Sequence, residues 1–353
     1  MRDEQSILEV LDRAAQRREA RRGFLRTAGM ATVAAGGLSL LAACDDDDSN
    51  NSGTTPTPSP SPSPTAPPVT VTDPDILNFA LQLEYLEAQY YAFALTGSGL
   101  AANLMTGSGT QGAVSTSGPN PPRAVNFTGE TLIGQYAREI AADEIAHVAF
   151  LRNALGTPVA QPAINISGDA AGAFTAVARA AGVVGPTAIF DPYSSPDFFL
   201  IGAYIFEDVG VTAYKGAAPL LSSAVFLEAA AGILAAEAYH AGLVRTILYS
   251  RGQTASSLLT IAQQVSDLRD TVDGTPAEDL VRGVGPDDDQ GINPSGTGAT
   301  AVSNLVPTNS NGLAFSRTPQ QVLNIVYGTR TSVSAGAFFP AGLNGTFRTS
   351  AAN

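Results

Sequence analysis

The chain is poor in several residue types on which enzymes and secreted scaffolds depend. One cysteine in 353 residues, Cys44, excludes an intrachain disulfide framework and any cysteine-rich metal site. Tryptophan is absent and Lys215 is the lone lysine, a bias of composition without functional content. Charged residues make up 14%, and the acidic ones dominate, leaving a formal net charge of -13. A surface of that sign repels nucleic acid and anionic lipid headgroups. No glycine-rich phosphate loop follows a strand-like run, so nucleotide-binding and serine-hydrolase readings find no support. Histidine is scarce as well, and both copies, His147 and His240, turn out to matter. What the chain does have is 44% apolar residues, enough for a sizeable core.

Residues 1–43 carry seven arginines against five acidic residues, so the remainder is more acidic than the whole. Arg21 and Arg22 precede a short apolar run, Ala31 to Ala43, interrupted by Gly36 and Gly37. The run falls short of the about 20 residues that a comfortable spanning helix needs, although a retained anchor is the alternative. The stretch "ARRGFLRTAGMATVAAGGLSLLAAC" resembles a twin-arginine export signal, which implies passage through the twin-arginine translocation machinery in a folded state. Cys44 behind "LLAA" resembles a lipoprotein box, which implies a lipid-anchored protein in the periplasm or on the outer face of the cytoplasmic membrane. An incidental thiol beside an ordinary cleavage site is the plainer reading. Asp45 to Asp48 and "TTPTPSPSPSPTAPP" follow, and alternating prolines make residues 44–72 a semi-rigid spacer extending about 3.1 Å per residue.

From Asp73 the pattern becomes helical. "DPDILNFALQLEYLEAQYYAFAL" has an acidic start with Pro74 and a stop at Thr96-Gly97. A glycine-, serine- and proline-rich loop over 107–122 leads to a second long helix closed by Gly156, and residues 169–182 predict a short helix inside a crossover. Ser195-Pro196-Asp197 starts a third long helix, and a fourth ends at Gly252 after a short connection, so those two are expected to be antiparallel neighbours. The expected fold is all-α: a four-helix bundle over 73–252 with a long crossover, followed by a loop-rich extension over 253–353. Within that extension, 254–274 predicts a helix crossing the end of the bundle, and 319–327 a short terminal helix begun by Thr318-Pro319. "DDDQGIN" at 287–293 lacks the twelfth-position glutamate of a calcium loop and reads as solvated loop.

Both histidines sit three residues after a glutamate: Glu144 with His147, and Glu237 with His240. On a helix that spacing places both side chains on one face, about a turn apart, able to reach one ion. "EIAHVAFLRNAL" and "EAYHAGLVRTIL" keep Glu, His, Arg and Leu in step, and the other two long helices share a second spacing, Glu84 with Tyr91 and Glu207 with Tyr214. If each apolar stripe faces inward, the core receives four carboxylates and two imidazoles without a facing lysine or arginine. Buried carboxylates repel one another unless cations or protons compensate them. Two divalent ions would supply that charge, held by Glu84, Glu144, His147, Glu207, Glu237 and His240; a relic site kept as a hydrogen-bonded network is the alternative. Glu87, one turn from Glu84, either supports the ligands or is solvated. Asp143, Asp208, Glu139 and Glu228 read as exposed helix charges. Tyr91 and Tyr214 read as hydrogen-bond donors behind the ligands, as electron donors, or as plain core.

The ligand order resembles that of the ferritin-like superfamily, with its bacterioferritins and rubrerythrins. "LNFALQLEYLEAQYY" at 77–91, "LAFSRTPQQVLNIVYGT" at 313–329 and "FFPAGLNG" at 338–345 bring it closer to the desiccation-related ferritin-like proteins of bacteria and plants. That resemblance implies bridging by Glu144 and Glu237, with Glu84 and His147 completing one coordination sphere and Glu207 and His240 the other. Oxygen and imidazole donors suit iron or manganese. The lipoprotein box and spacer depart from the cage-forming ferritins and speak against storage in a closed shell. The expected function is an exported dimetal protein of the cell envelope that handles O2 or peroxide in a ferroxidase-, peroxidase- or manganese catalase-like way. The alternative is a desiccation or stress protein that sequesters metal or acts structurally without turnover. No nucleic-acid partner is expected, and a homo-oligomer is compatible with the sequence.

Overall fold

The computed structural model describes residues 71–274 and 290–353. Arg21, Arg22, Cys44, the apolar run and most of the spacer lie outside the described residues, as do Asp287 to Asp289. Seven α-helices are described: α1 Asp73–Thr96, α2 Thr131–Leu155, α3 Ala173–Ala180, α4 Pro196–Ala217, α5 Ala224–Gly252, α6 Ser257–Val272 and α7 Pro319–Tyr327.

The ends of these helices follow local chemistry. Thr72 caps α1 in a reciprocal box with Asp75, and Gly97 closes the helix at φ 73°, a left-handed backbone that favours glycine. Ser195 and Ser223 accept the Phe198 and Phe226 amides at the starts of α4 and α5. Thr318 and Gln321 form a second box at the start of α7. Helices α1 and α2 form one hairpin, α4 and α5 another, and the segment 156–195 containing α3 crosses between them. This is an all-α, ferritin-like four-helix bundle with a loop-rich C-terminal extension.

The bundle helices are unequally covered. Eighteen of 24 residues are buried in α1 and 15 of 22 in α4, against 8 of 25 in α2 and 9 of 29 in α5. Loop 107–122 and segment 158–166 run side by side and close over α1: Tyr85 donates to the Val159 carbonyl, and Gln89 reaches Gln161. Their approach requires glycine, since a Cβ on Gly107 would come within 2.3 Å of the Pro158 oxygen.

Two sequence expectations need correction here. Helix α6 does not cross the end of the bundle; it lies along the flank of α4, where Arg269 donates to the Tyr204 carbonyl at 2.7 Å and to Asp208 at 3.0 Å. Gly291 and Ile292 are buried rather than solvated, because Arg245 holds the Gln290 and Gly291 carbonyls at 3.1 and 3.0 Å.

Candidate metal centre

The six carboxylate and imidazole side chains singled out by spacing converge at the middle of the bundle. Glu84 and Glu207 come from the covered helices α1 and α4; Glu144 with His147, and Glu237 with His240, come from α2 and α5. All four carboxylates are at most 1% exposed. His147 Nδ1 lies 3.2 Å from Glu84, 3.5 Å from Glu144 and 3.9 Å from Glu237. His240 Nδ1 lies 2.9 Å from Glu144 and 3.6 Å from Glu207. Glu84, Glu144, His147 and Glu237 form one group, and Glu144, Glu207, Glu237 and His240 a second, each offering donor atoms within 4.8 Å of one another. Ligands around one ion at roughly 2.0–2.2 Å have about that reach.

Whether these residues fit metal can be judged from their unsatisfied atoms. Among the described residues, both carboxylate oxygens of Glu144 and of Glu237, one of Glu207, and His240 Nδ1 are buried without a hydrogen-bond partner. His240 Nδ1 and Glu144 Oε1 therefore sit 2.9 Å apart without hydrogen-bond alignment. Unpartnered buried oxygens and ring nitrogens carry a desolvation cost that a shared cation removes. The donor set thus fits divalent ions, with Glu144 and Glu237 common to both groups.

The electrostatics express the same demand. Burial, with the Glu144 charge behind it, raises Glu84 to about 7; burial lifts Glu207 to about 8 against the opposing pull of His240. Burial also pushes Glu87 and Glu237 well above the usual carboxylate range, reinforced by their acidic neighbours. Glu144 runs the other way: burial opposes its charge, yet the two imidazoles lower it to about 2. Burial likewise opposes the imidazolium forms, but the surrounding carboxylates raise His147 to about 11 and His240 to about 9. Without metal, protons supply the positive charge. Metal binding must displace them.

The tyrosines are crossed between hairpins. Tyr91 of α1 donates its hydroxyl to Glu207 of α4, and Tyr214 of α4 donates to Glu84 of α1. Burial, with the adjacent carboxylate charge, raises both phenols well above 10, so they remain protonated donors. Each also belongs to the packed core, so two of the alternatives read from sequence hold together.

Three assignments change. Glu87 is 5% exposed, which rules out solvation; it lies near Glu237, since a Cβ placed on Gly210 would meet Glu237 Oε2 at 2.2 Å and Glu87 Oε1 at 3.5 Å. Asp208 is no exposed charge but a buried acid gripped by Arg245 at 2.7 Å and Arg269 at 3.0 Å. Asp143, half-exposed, lies 3.1 Å from His240 Nε2, the ring nitrogen opposite the one facing the carboxylates. A carboxylate there fixes the ring's tautomer and orientation and strengthens it as a ligand. Glu139 and Glu228 are exposed as expected. The arginine in step after each histidine was the available clue to Asp208: Arg245 clamps it, and at the matching place in the other hairpin Arg152 donates to Tyr85, the residue after Glu84.

One glutamate from each of two helices and a Glu-x-x-His pair from each of two others define a ferritin-like centre. A sequence profile of the ferritin-like domain matches residues 72–250, and the chain belongs to that family. It is similar to Desiccation-related protein PCC13-62 of Craterostigma plantagineum, 28% identical over 275 residues that cover 76% of this chain and 82% of that one. It is also similar to Ferritin-like catalase Nec2 of Nesocodon mauritianus, 27% identical over 287 residues covering 78% of this chain and 85% of the relative. No solved structure shows significant similarity.

Proposed function

We propose that the protein is an exported dimetal protein of the cell envelope, anchored through lipidated Cys44, which binds two iron or manganese ions and consumes O2 or peroxide in stress protection. The observation that carries this reading is the pair of four-residue groups sharing Glu144 and Glu237, with all four oxygens of those two shared carboxylates buried and without a hydrogen-bond partner among the described residues. Paired ions of either metal would supply one-electron steps at two adjacent positions.

The chain's own contribution is to hold those positions dry and oriented. Asp143 steadies the His240 ring, while Tyr91 and Tyr214 donate their hydroxyls to Glu207 and Glu84 and fix the orientation of those carboxylates. Phe174, Phe199 and Phe206 pack around Tyr90, which with Phe199 lies against Tyr91, and these rings exclude water from the α1 and α4 side. Among the six residues the His147 side chain is the most exposed, at 13%, which makes its side of the centre the nearest approach for a small oxidant. Similarity to a ferritin-like catalase favours turnover, whereas similarity to a desiccation-related protein favours metal sequestration without it.

Elemental mass spectrometry of protein purified without added metal, followed by ferrous iron titration with and without oxygen, separates these readings. About two ions per chain and an oxygen-dependent absorbance change are expected. Two bound ions with no such change would leave the sequestering role; metal-free protein that also fails to take up iron would remove both.

A further inference from the structure

Helix α5 is apolar enough by length and composition to cross a membrane, yet it carries Glu237, His240 and Arg245 on its buried side. Its opposite side faces outward. Val225, Glu228, Gly232, Ala235 and Tyr239 are exposed there at steps of three and four residues, and Thr246 continues the stripe two turns on, past half-buried Gly242. Tyr239 is 76% exposed and Val225 71%. Glycine in the interior of a helix is destabilising relative to alanine. Among the described residues a Cβ added to Gly232 or Gly242 would meet nothing within 4 Å, so their packing does not require either glycine. A groove of about 790 Å³ runs along the same face, its walls including Tyr136 of α2, Leu243 and Ile247 of α5, and Val306 of the extension.

We infer that this face seats a second copy of the chain, with α5 pairing antiparallel against α5 about a twofold axis at Tyr239. The register follows from the stripe itself. With Tyr239 on the axis, Gly232 of one copy falls opposite Thr246 of the other, Ala235 opposite Leu243, and Glu228 opposite Ser250. Small residues meet larger ones, and the single acid of the stripe meets a hydroxyl, so like charges do not collide. The two Tyr239 rings meet at the centre, where aromatic residues contribute most to binding.

Area agrees with this occupant. Helices α2 and α5 together offer a face roughly 37 Å long and 20 Å wide, about 750 Å², close to the about 800 Å² each partner buries in a standard interface. An anionic membrane is the poorer occupant for a chain of net charge -13. Pairing there also covers the edge of α5 beside Asp143, the half-exposed residue that steadies His240.

Analytical ultracentrifugation of the full chain carrying Cys44→Ser, which removes association through lipid, tests the pairing. Twice the single-chain mass is expected. Tyr239→Asp and Gly232→Arg, both at exposed positions, should each weaken self-association by at least about thirtyfold with unchanged helical circular dichroism. Thr331→Asp, on the exposed tail, should leave the dimer intact. A monomeric parent at about 100 μM, or a dimer that survives both α5 substitutions, overturns the proposal. So does a monomeric parent that binds phosphatidylcholine vesicles and loses that binding in Tyr239→Asp, which would give the face to lipid.

Discussion

The two hairpins present the same candidate ligands and support them differently. In α1 and α2, Glu84 is followed by Tyr85, which receives Arg152; in α4 and α5, Glu207 is followed by Asp208, which receives Arg245. Arg152 also holds the Asn103 and Thr106 carbonyls of the first loop, while fully buried Arg245 holds Gln290, Gly291 and Asn304 of the extension. Each arginine thus fastens an irregular segment to its own hairpin. Further differences reach the candidate centre. Three residues after Glu84 the first hairpin has Glu87, where the second has Gly210, a position that Glu237 leaves no room to fill. Asp143 of the first hairpin steadies His240, but the residue in its register on α5 is Ala236, which can offer His147 nothing comparable. Twofold repetition supplies the candidate ligand set; departures from it make the two candidate positions unequal.

That inequality can be broken at the shared ligands, where the effect should be largest. Glu144→Ala touches both groups and should abolish binding of both ions, whereas Glu84→Ala should spare the position built on Glu207 and His240. Elemental analysis reads the difference, and equal loss in the two variants would contradict the unequal pair.

A smaller contrast is expected between the arginines. Removing Arg245 strips a charge partner from buried Asp208 and should cost roughly 3 kcal/mol in urea unfolding. Arg152→Ala, at a partly exposed site whose partner is an uncharged phenol, should cost about 1–2 kcal/mol. Similar losses would mean that the two clamps are energetically equivalent.

The smallest effect concerns affinity alone. Asp143→Ala should weaken the ion at His240 by roughly ten- to a hundredfold with little change in stability. Competition with a chelator measures it, and an unchanged midpoint would reduce the Asp143 contact to a surface pairing.

The parts of this molecule written in local sequence were legible. The Asp73-Pro74 start, the caps at Ser195 and Thr318 and the stops at Gly97 and Gly156 mark the helices within a residue or two, because helix ends are set by groups close by in the chain. The i, i+3 pairs place Glu144 with His147 and Glu237 with His240 on common faces for the same reason. What escaped depends on distant partners. Asp208 reads as a surface acid until α6 brings Arg269 against it from 61 residues away. Asp143 looks solvated until α5 sets His240 beside it, and the lie of α6 along α4 follows from that same buried ion pair.

The crossed tyrosines have one more consequence. Tyr91 serves Glu207 and Tyr214 serves Glu84, so neither hairpin completes its own acid. A short helical pair with one Glu, one Tyr and one Glu-x-x-His motif would make the same exchange with an identical neighbour. The bundle is therefore a self-dimer enclosed in a single polypeptide, and the crossover between α2 and α4 is the tether that frees its halves to differ.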